Sequence, residues 1–130
     1  GKKLHLKVSD LSDYSMIPSV SDKASLKEVI LEISEKRLGA TVVEKNGKLC
    51  GLITDGDIRR VLKKHENISG LTASYVMTNK PVKVDEDMLA YDALKLMQAN
   101  KINHILVMGK DNSYRGLIHI LDFIKEGLNG

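Results

Sequence analysis

Tryptophan is absent and phenylalanine occurs once, at Phe123, in a chain of 130 residues. That weakens any proposal of an aromatic platform on which the bases of a single-stranded nucleic acid could stack. Cysteine is as scarce. Cys50 stands alone between Leu49 and Gly51, so no internal disulfide can form and a reducing, cytoplasmic compartment is expected. Its thiol reads either as a small hydrophobe in an apolar run or as a reactive group. Apolar runs are only a few residues long, and no charged-then-apolar leader opens the chain, so neither membrane insertion nor secretion is expected. A strong charge bias is missing too. Twenty Lys+Arg against 17 Asp+Glu leave a net charge of +3, which suits an anionic small ligand and is too weak to argue for a nucleic-acid partner. Phosphate-loop and dinucleotide glycine signatures do not occur. No serine or cysteine sits in a nucleophile elbow, and no His–Asp pair can be assigned. His5, His65, His104 and His119 lack ligand spacing with Cys50 or a carboxylate. No catalytic residue, resident cofactor or metal is therefore expected. There is no initiator methionine, and the expectation is that the sequence begins partway through a longer protein.

What the sequence does have is a repeat. VVEKNGKLCGLITDGDI (42–58) and LVMGKDNSYRGLIHILDF (106–123) both run apolar strand, polar turn, strand opening on Gly-Leu-Ile, then an aspartate. Gly51 matches Gly116 and Asp57 matches Asp122. Upstream, ASLKEVILEI (24–33) matches MLAYDALKLM (88–97), with Val29 on Ala93 and Ile33 on Met97. The register changes by one residue in the turn, where insertion is cheap.

Each half reads as strand, helix, strand, strand, helix. In the first, Ser19–Ser21 is a short strand. Leu26, Val29, Ile30 and Ile33 recur at helical spacing behind a Ser25/Glu28 capping pattern, and Gly39 can end that helix in the left-handed conformation. Residues 41–44 and 48–53 form a hairpin across Asn46-Gly47, and Ile58, Val61 and Leu62 give the next helix its apolar face. In the second half the expected elements are a strand at 82–84, a helix through Ala90, Ala93, Leu94 and Met97, strands at 105–108 and 116–118, and a last helix from Asp122. The repeats span 8–65 and 73–128, with a linker at 66–72. A three-stranded sheet with two helices buries too little alone. The expected fold is therefore α+β: two pseudo-symmetric β-α-β-β-α repeats packed sheet to sheet, with symmetry-related clefts between them.

Asp57 and Asp122 fall at the start of expected helices. A carboxylate there can accept hydrogen bonds from the vicinal hydroxyls of a ribose. It can equally serve as a first-turn acid, stabilising the helix by about 0.5–2 kcal/mol without a ligand. Recurrence at matching positions favours ligand contact. Thr54 offers a hydroxyl beside free backbone N–H groups, a seat for phosphate, or is a strand-end threonine chosen for β propensity. Asp55 reads as a turn residue. Arg59 and Arg60 either reach a phosphate or are simply solvated. His119 stands where Thr54 has its hydroxyl. It either donates to an anionic group, with pH sensitivity, or fills the space of a ligand. His104 occupies the position of Ala40. Gly39, Ala40 and Thr41, with Ile102 and Asn103, begin the strands that line each cleft.

These residues resemble the tandem cystathionine-β-synthase (CBS) domain pair, or Bateman module, over about residues 8 to 128. The family motif is Gly, apolar, any residue, Thr or Ser, two residues, Asp. GLITDGD fits it, and GLIHILD departs only at His119. TDGDIRR and GLIHILDFIKEGL, with VSDLSD and ASYVMT opening the copies, look more narrowly like the C-terminal pair of D-arabinose 5-phosphate isomerases of the KdsD/KpsF/GutQ type. In that family the aspartate binds ribose, and ligand bases rest on the segments matching Ile17-Pro18 and Pro81-Val82. The resemblance implies a sugar isomerase domain preceding this chain and carrying the chemistry. It also implies a role in Kdo biosynthesis, a homodimer formed through the CBS pairs, and a nucleotide ligand such as CMP-Kdo, AMP or ATP. An alternative role is oligomerisation without sensing.

Overall fold

The computed structural model describes residues 2–11, 17–36 and 38–128. In chain order these form a 3-10 turn (Lys2–His5), α1 (Val8–Leu11), β1 (Ser19–Ser21), α2 (Leu26–Lys36), β2 (Ala40–Lys45), β3 (Lys48–Thr54) and α3 (Asp55–Lys64). There follow α4 (Ala73–Val76), β4 (Lys83–Asp85), α5 (Ala90–Asn100), β5 (His104–Met108), β6 (Tyr114–His119) and α6 (Ile120–Lys125). No described helix is long and apolar enough to cross a membrane.

The strands make two three-stranded sheets of the same design, β1-β2-β3 and β4-β5-β6. In each, the first pair is parallel and the second antiparallel. A parallel pair needs a crossover, and α2 and α5 supply it. Leu26, Val29 and Ile33 turn one face of α2 inward. Ser25 Oγ accepts from the Glu28 N–H at 3.2 Å to open that helix, and Gly39, three residues past its last turn, adopts φ +76°. Between β2 and β3, Asn46 and Gly47 both adopt positive φ, +54° and +78°, the geometry that a two-residue hairpin requires.

The matching turn of the second repeat is one residue longer. Val43 pairs with Gly51 and Val107 with Gly116, and a register shift follows Val43 and Val107 alike. β2, β3, β5 and β6 each run one to three residues longer than the sequence expectation, and two further boundaries are displaced. β4 occupies 83–85 rather than 82–84, because Val82 meets the ladder only through its carbonyl, which accepts from Leu106 N at 3.3 Å. The last helix begins at Ile120 rather than Asp122, because His119 is its N-cap and Asp122 lies in its first turn.

The chain forms two compact units, one of Pro18–Pro81 and the other of Gly1–Ile17 with Val82–Gly130. The units therefore differ from the sequence repeats at their ends. Val8 of α1 is buried among Val84, Ala90 and Phe123, and its N–H donates to Met88 O at 2.9 Å. Ala73 and Val76 of α4 are buried with Ala24, Leu26 and Ile53, and Ala73 N donates to Ala24 O at 2.8 Å. The segment that opens each repeat thus packs into the core built on the other repeat's sheet. Of VSDLSD, Ser12 and Asp13 lie outside the described residues.

Candidate functional site

In the Pro18–Pro81 unit, the antiparallel register sets Ala40 opposite Thr54 and Thr41 opposite Ile53. The Asp55 N–H donates to Gly39 O at 3.0 Å, tying the head of β2 to the end of β3. Thr54 is the extended N-cap of α3, at φ −108° and ψ 167°. Its Oγ1 accepts from the Asp57 N–H at 3.3 Å, while the Asp57 carboxylate accepts from the Thr54 N–H at 2.9 Å. This reciprocal box satisfies two helix-end donors. The Asp57 carboxylate also accepts from the Arg60 guanidinium at 2.5 Å. Asp55 is exposed in the first turn and Arg59 is exposed one turn on. Thr41 is fully buried, and its hydroxyl donates to Val42 O at 3.1 Å.

The other unit repeats this arrangement with one change of chemistry. His104 pairs with His119 across β5 and β6, and the Ile120 N–H donates to Asn103 O at 2.8 Å, as Asp55 does to Gly39. The Asp122 carboxylate accepts from the His119 N–H at 3.1 Å. Where Thr54 uses a hydroxyl, His119 uses imidazole: its Nδ1 accepts from the Leu121 N–H at 3.0 Å. A neutral ring accepting at Nδ1 carries its proton on Nε2. The His104 and His119 rings meet edge to face, with centroids 4.8 Å apart. His119 is thus a cap in the place of a threonine. Replacing it by Ala should cost about 1 kcal/mol in chemical denaturation, and replacing it by Thr should recover most of that. Equal losses for both would separate the cap from the stability of α6.

The remaining sequence candidates head the parallel strands. Pro18 O accepts from Val42 N at 3.3 Å, as Val82 O does from Leu106 N. Ile17-Pro18 and Pro81-Val82 are the two points at which the chain passes from one unit to the other, and they carry both of its prolines. Ile102 is half-buried and its N–H donates to Met97 O at 3.0 Å. Within each unit the structure therefore brings together Gly39, Ala40, Thr41, Thr54 and Asp57, and Asn103, His104, His119 and Asp122. The bond from Arg60 to Asp57 was not anticipated from the sequence, although their i, i+3 spacing is a signal for it.

Cys50 is half-buried, with Sγ 3.9 Å from Met77 Sδ. Burial pushes its thiol up, and nearby Asp22 adds to the rise. Little thiolate exists at neutral pH, which argues against a nucleophile. Among the described residues no group of three or more His, Cys, Asp or Glu could hold a metal ion.

A family model for the CBS domain matches residues 8–64 and again 73–129. The arabinose 5-phosphate isomerase KdsD of Yersinia pestis is 37% identical over 130 residues, covering 98% of this chain and 39% of the relative. The chain thus spans about two-fifths of the length of the curated relatives it matches. A CBS domain protein from Pyrobaculum aerophilum, complexed with AMP, superposes with a TM-score of 0.82 at 22% identity, over 91% of this chain and 90% of that one. The CBS domain of a bacterial CNNM/CorC family Mg2+ transporter, in complex with ATP, also has a TM-score of 0.82. It is 20% identical over 96% of this chain and 89% of its own. These two likenesses show the fold.

Proposed function

The chain belongs to the CBS domain family, and on that premise we propose that it is the ligand-sensing region of a sugar-phosphate isomerase. Its Asp57 and Asp122 turns would hold a nucleotide or nucleotide sugar. The observation that carries this reading is the recurrence of one device. Each repeat ends a Gly-Leu-Ile strand on a capping residue and presents an aspartate in the first turn of the helix that follows. A carboxylate at that point can accept from a ribose diol, and the cap residues offer polar contacts to phosphate. Complexes of structural neighbours with AMP and ATP support the ligand class, and the net charge of +3 suits an anion.

The KdsD relative supports a parent enzyme that interconverts D-ribulose 5-phosphate and D-arabinose 5-phosphate, on a catalytic domain N-terminal to these residues. CMP-Kdo, an activated product downstream, offers a ribose, a phosphate and a carboxylate, and is a chemically sensible feedback ligand. Feedback requires that it bind two states of the parent with different affinity.

Thermal unfolding of the chain with AMP, ATP and CMP-Kdo tests the proposal. A ligand held at a hundred times its Kd adds about 2.7 kcal/mol, which should raise Tm by roughly 10 °C. Asp57→Ala should remove most of that rise. No shift with any of the three would sink the sensing reading. A second reading, association of two copies, is favoured by Leu121 and Ile124 of α6, which are 52% and 48% exposed. It predicts a Tm that rises with protein concentration and ignores nucleotide.

A further inference from the structure

We propose that Arg60 sets the preference of the Asp57 turn for nucleotides over nucleosides. Its guanidinium holds the carboxylate that a ribose needs, and the phosphate of a nucleotide draws it away. Arg60 has this role on the reading of the Asp57 turn as a nucleotide site.

Both oxygens of the carboxylate have partners. Asp57 Oδ2 accepts from the Thr54 N–H at 2.9 Å and lies 3.2 Å from Thr54 Oγ1. Oδ1 accepts from Arg60 Nη2 at 2.5 Å. A diol approaching Asp57 therefore finds one oxygen spent on the helix cap and the other on a cation. The cap belongs to the fold. The cation is the removable partner, because the Arg60 side chain is 72% exposed whereas that of Asp57 is 12% exposed.

Arg60 reaches the carboxylate by lying back over the first turn of α3, the direction in which helical side chains lean. Space at Gly56 does not constrain it: a Cβ there would stand 3.5 Å from Arg60 Nη1 and 3.6 Å from Thr54 Oγ1, both ordinary van der Waals contacts. The guanidinium is thus parked near the end of the helix where the macrodipole is positive and a cation is disfavoured. An i, i+3 ion pair with one exposed partner is weak in any case. Two weaknesses therefore make release easy. A phosphate delivered to the turn supplies what the parked cation lacks, a planar match of two or more charge-assisted bonds. A nucleoside has to compete with Arg60 for Asp57 Oδ1 and offers the guanidinium nothing in return.

The second repeat does not share the device. Lys125 stands where the first has Arg60, and among the described residues no lysine or arginine forms an ion pair with Asp122. An ammonium also lacks the fork that makes an arginine bond to phosphate bidentate. The discrimination is assigned to the Asp57 turn alone.

Isothermal titration of the chain and its Arg60→Ala variant with adenosine and AMP, and with cytidine and CMP, tests the proposal. Arg60 is exposed, so its removal leaves the core untouched, and circular dichroism checks the fold of the variant. Arg60→Ala should bind the nucleoside about two- to fivefold more tightly, since Asp57 is released from a weak pair. It should bind the nucleotide about tenfold more weakly, since a charge-assisted contact is lost. Arg60→Lys should fall between. Opposite movement of the two affinities supports the latch. Affinities that fall together, rise together or stay put overturn it while leaving the nucleotide site intact. Absence of binding by all four probes to the unmodified chain overturns the latch and the nucleotide reading together.

Discussion

Phe123→Ala should lower the unfolding free energy by about 3–5 kcal/mol and Tm by roughly 10–20 °C, the largest loss expected of any single substitution considered. Phe123 is the one phenylalanine of the chain. It is fully buried in a cluster with Val84, Leu94, Met97, Ile105, Ile118 and Leu128. α6 is only six residues long, too short to be held by intrinsic helicity, so its place depends on this anchor. The same residue ends the helix, its carbonyl accepting from Glu126 N at 3.2 Å and Leu128 N at 3.1 Å. Truncation would leave a cavity and loosen the turn that carries Asp122, the preceding residue. Phe123→Leu keeps most of the apolar volume and should cost about 1–1.5 kcal/mol. Urea denaturation of the three proteins measures both effects, and a loss below about 1 kcal/mol for the alanine variant would show that α6 is held by something else.

How much of this was legible in advance follows from what each residue does. Asn46-Gly47 announced its hairpin because few other pairs accept two successive positive φ values. The repeat was visible because Gly-Leu-Ile and the aspartate recur whole. The faces of α2 and α5 were visible because Val29, Ile33, Ala93 and Met97 sit at helical spacing. The exchange of α1 and α4 between cores was not. VSDL and ASYV each show one apolar side, but a four-residue helix carries no sign of which sheet it will cover. His119 read as a departure because it stands where the motif has a hydroxyl residue, and its role as a cap was not foreseen because imidazole is not a favoured cap residue; the Nδ1 bond to Leu121 shows it doing the work of Thr54. Arg60 was left between solvent and ligand because a long side chain can reach several partners. Only coordinates choose Asp57.

Gly51→Ala should cost about 2–3 kcal/mol, or roughly 10 °C in Tm, for a reason unrelated to backbone torsion. A Cβ at Gly51 would fall 2.4 Å from Met77 Sδ, 2.8 Å from Met77 Cγ and 2.9 Å from Thr78 O. The methionine side chain can swing aside. The Thr78 carbonyl cannot, because it accepts from the Leu52 N–H at 3.1 Å while the Thr78 N–H donates to Leu52 O at 2.8 Å. The methyl group must break that two-bond bridge or push the segment after α4 off the edge of β3. The glycine that opens the GLITDGD motif is thus explained by close approach of two backbones, three residues before the cap at Thr54. A double-mutant cycle separates the two obstacles. Adding Met77→Ala to Gly51→Ala should recover only part of the loss, since Thr78 O stays in place. Full recovery would assign the whole effect to the methionine. Because the clash lies upstream of Asp57, any ligand bound by the Asp57 turn should still raise the Tm of Gly51→Ala, from its lower starting point, by about as much as it raises that of the unmodified chain.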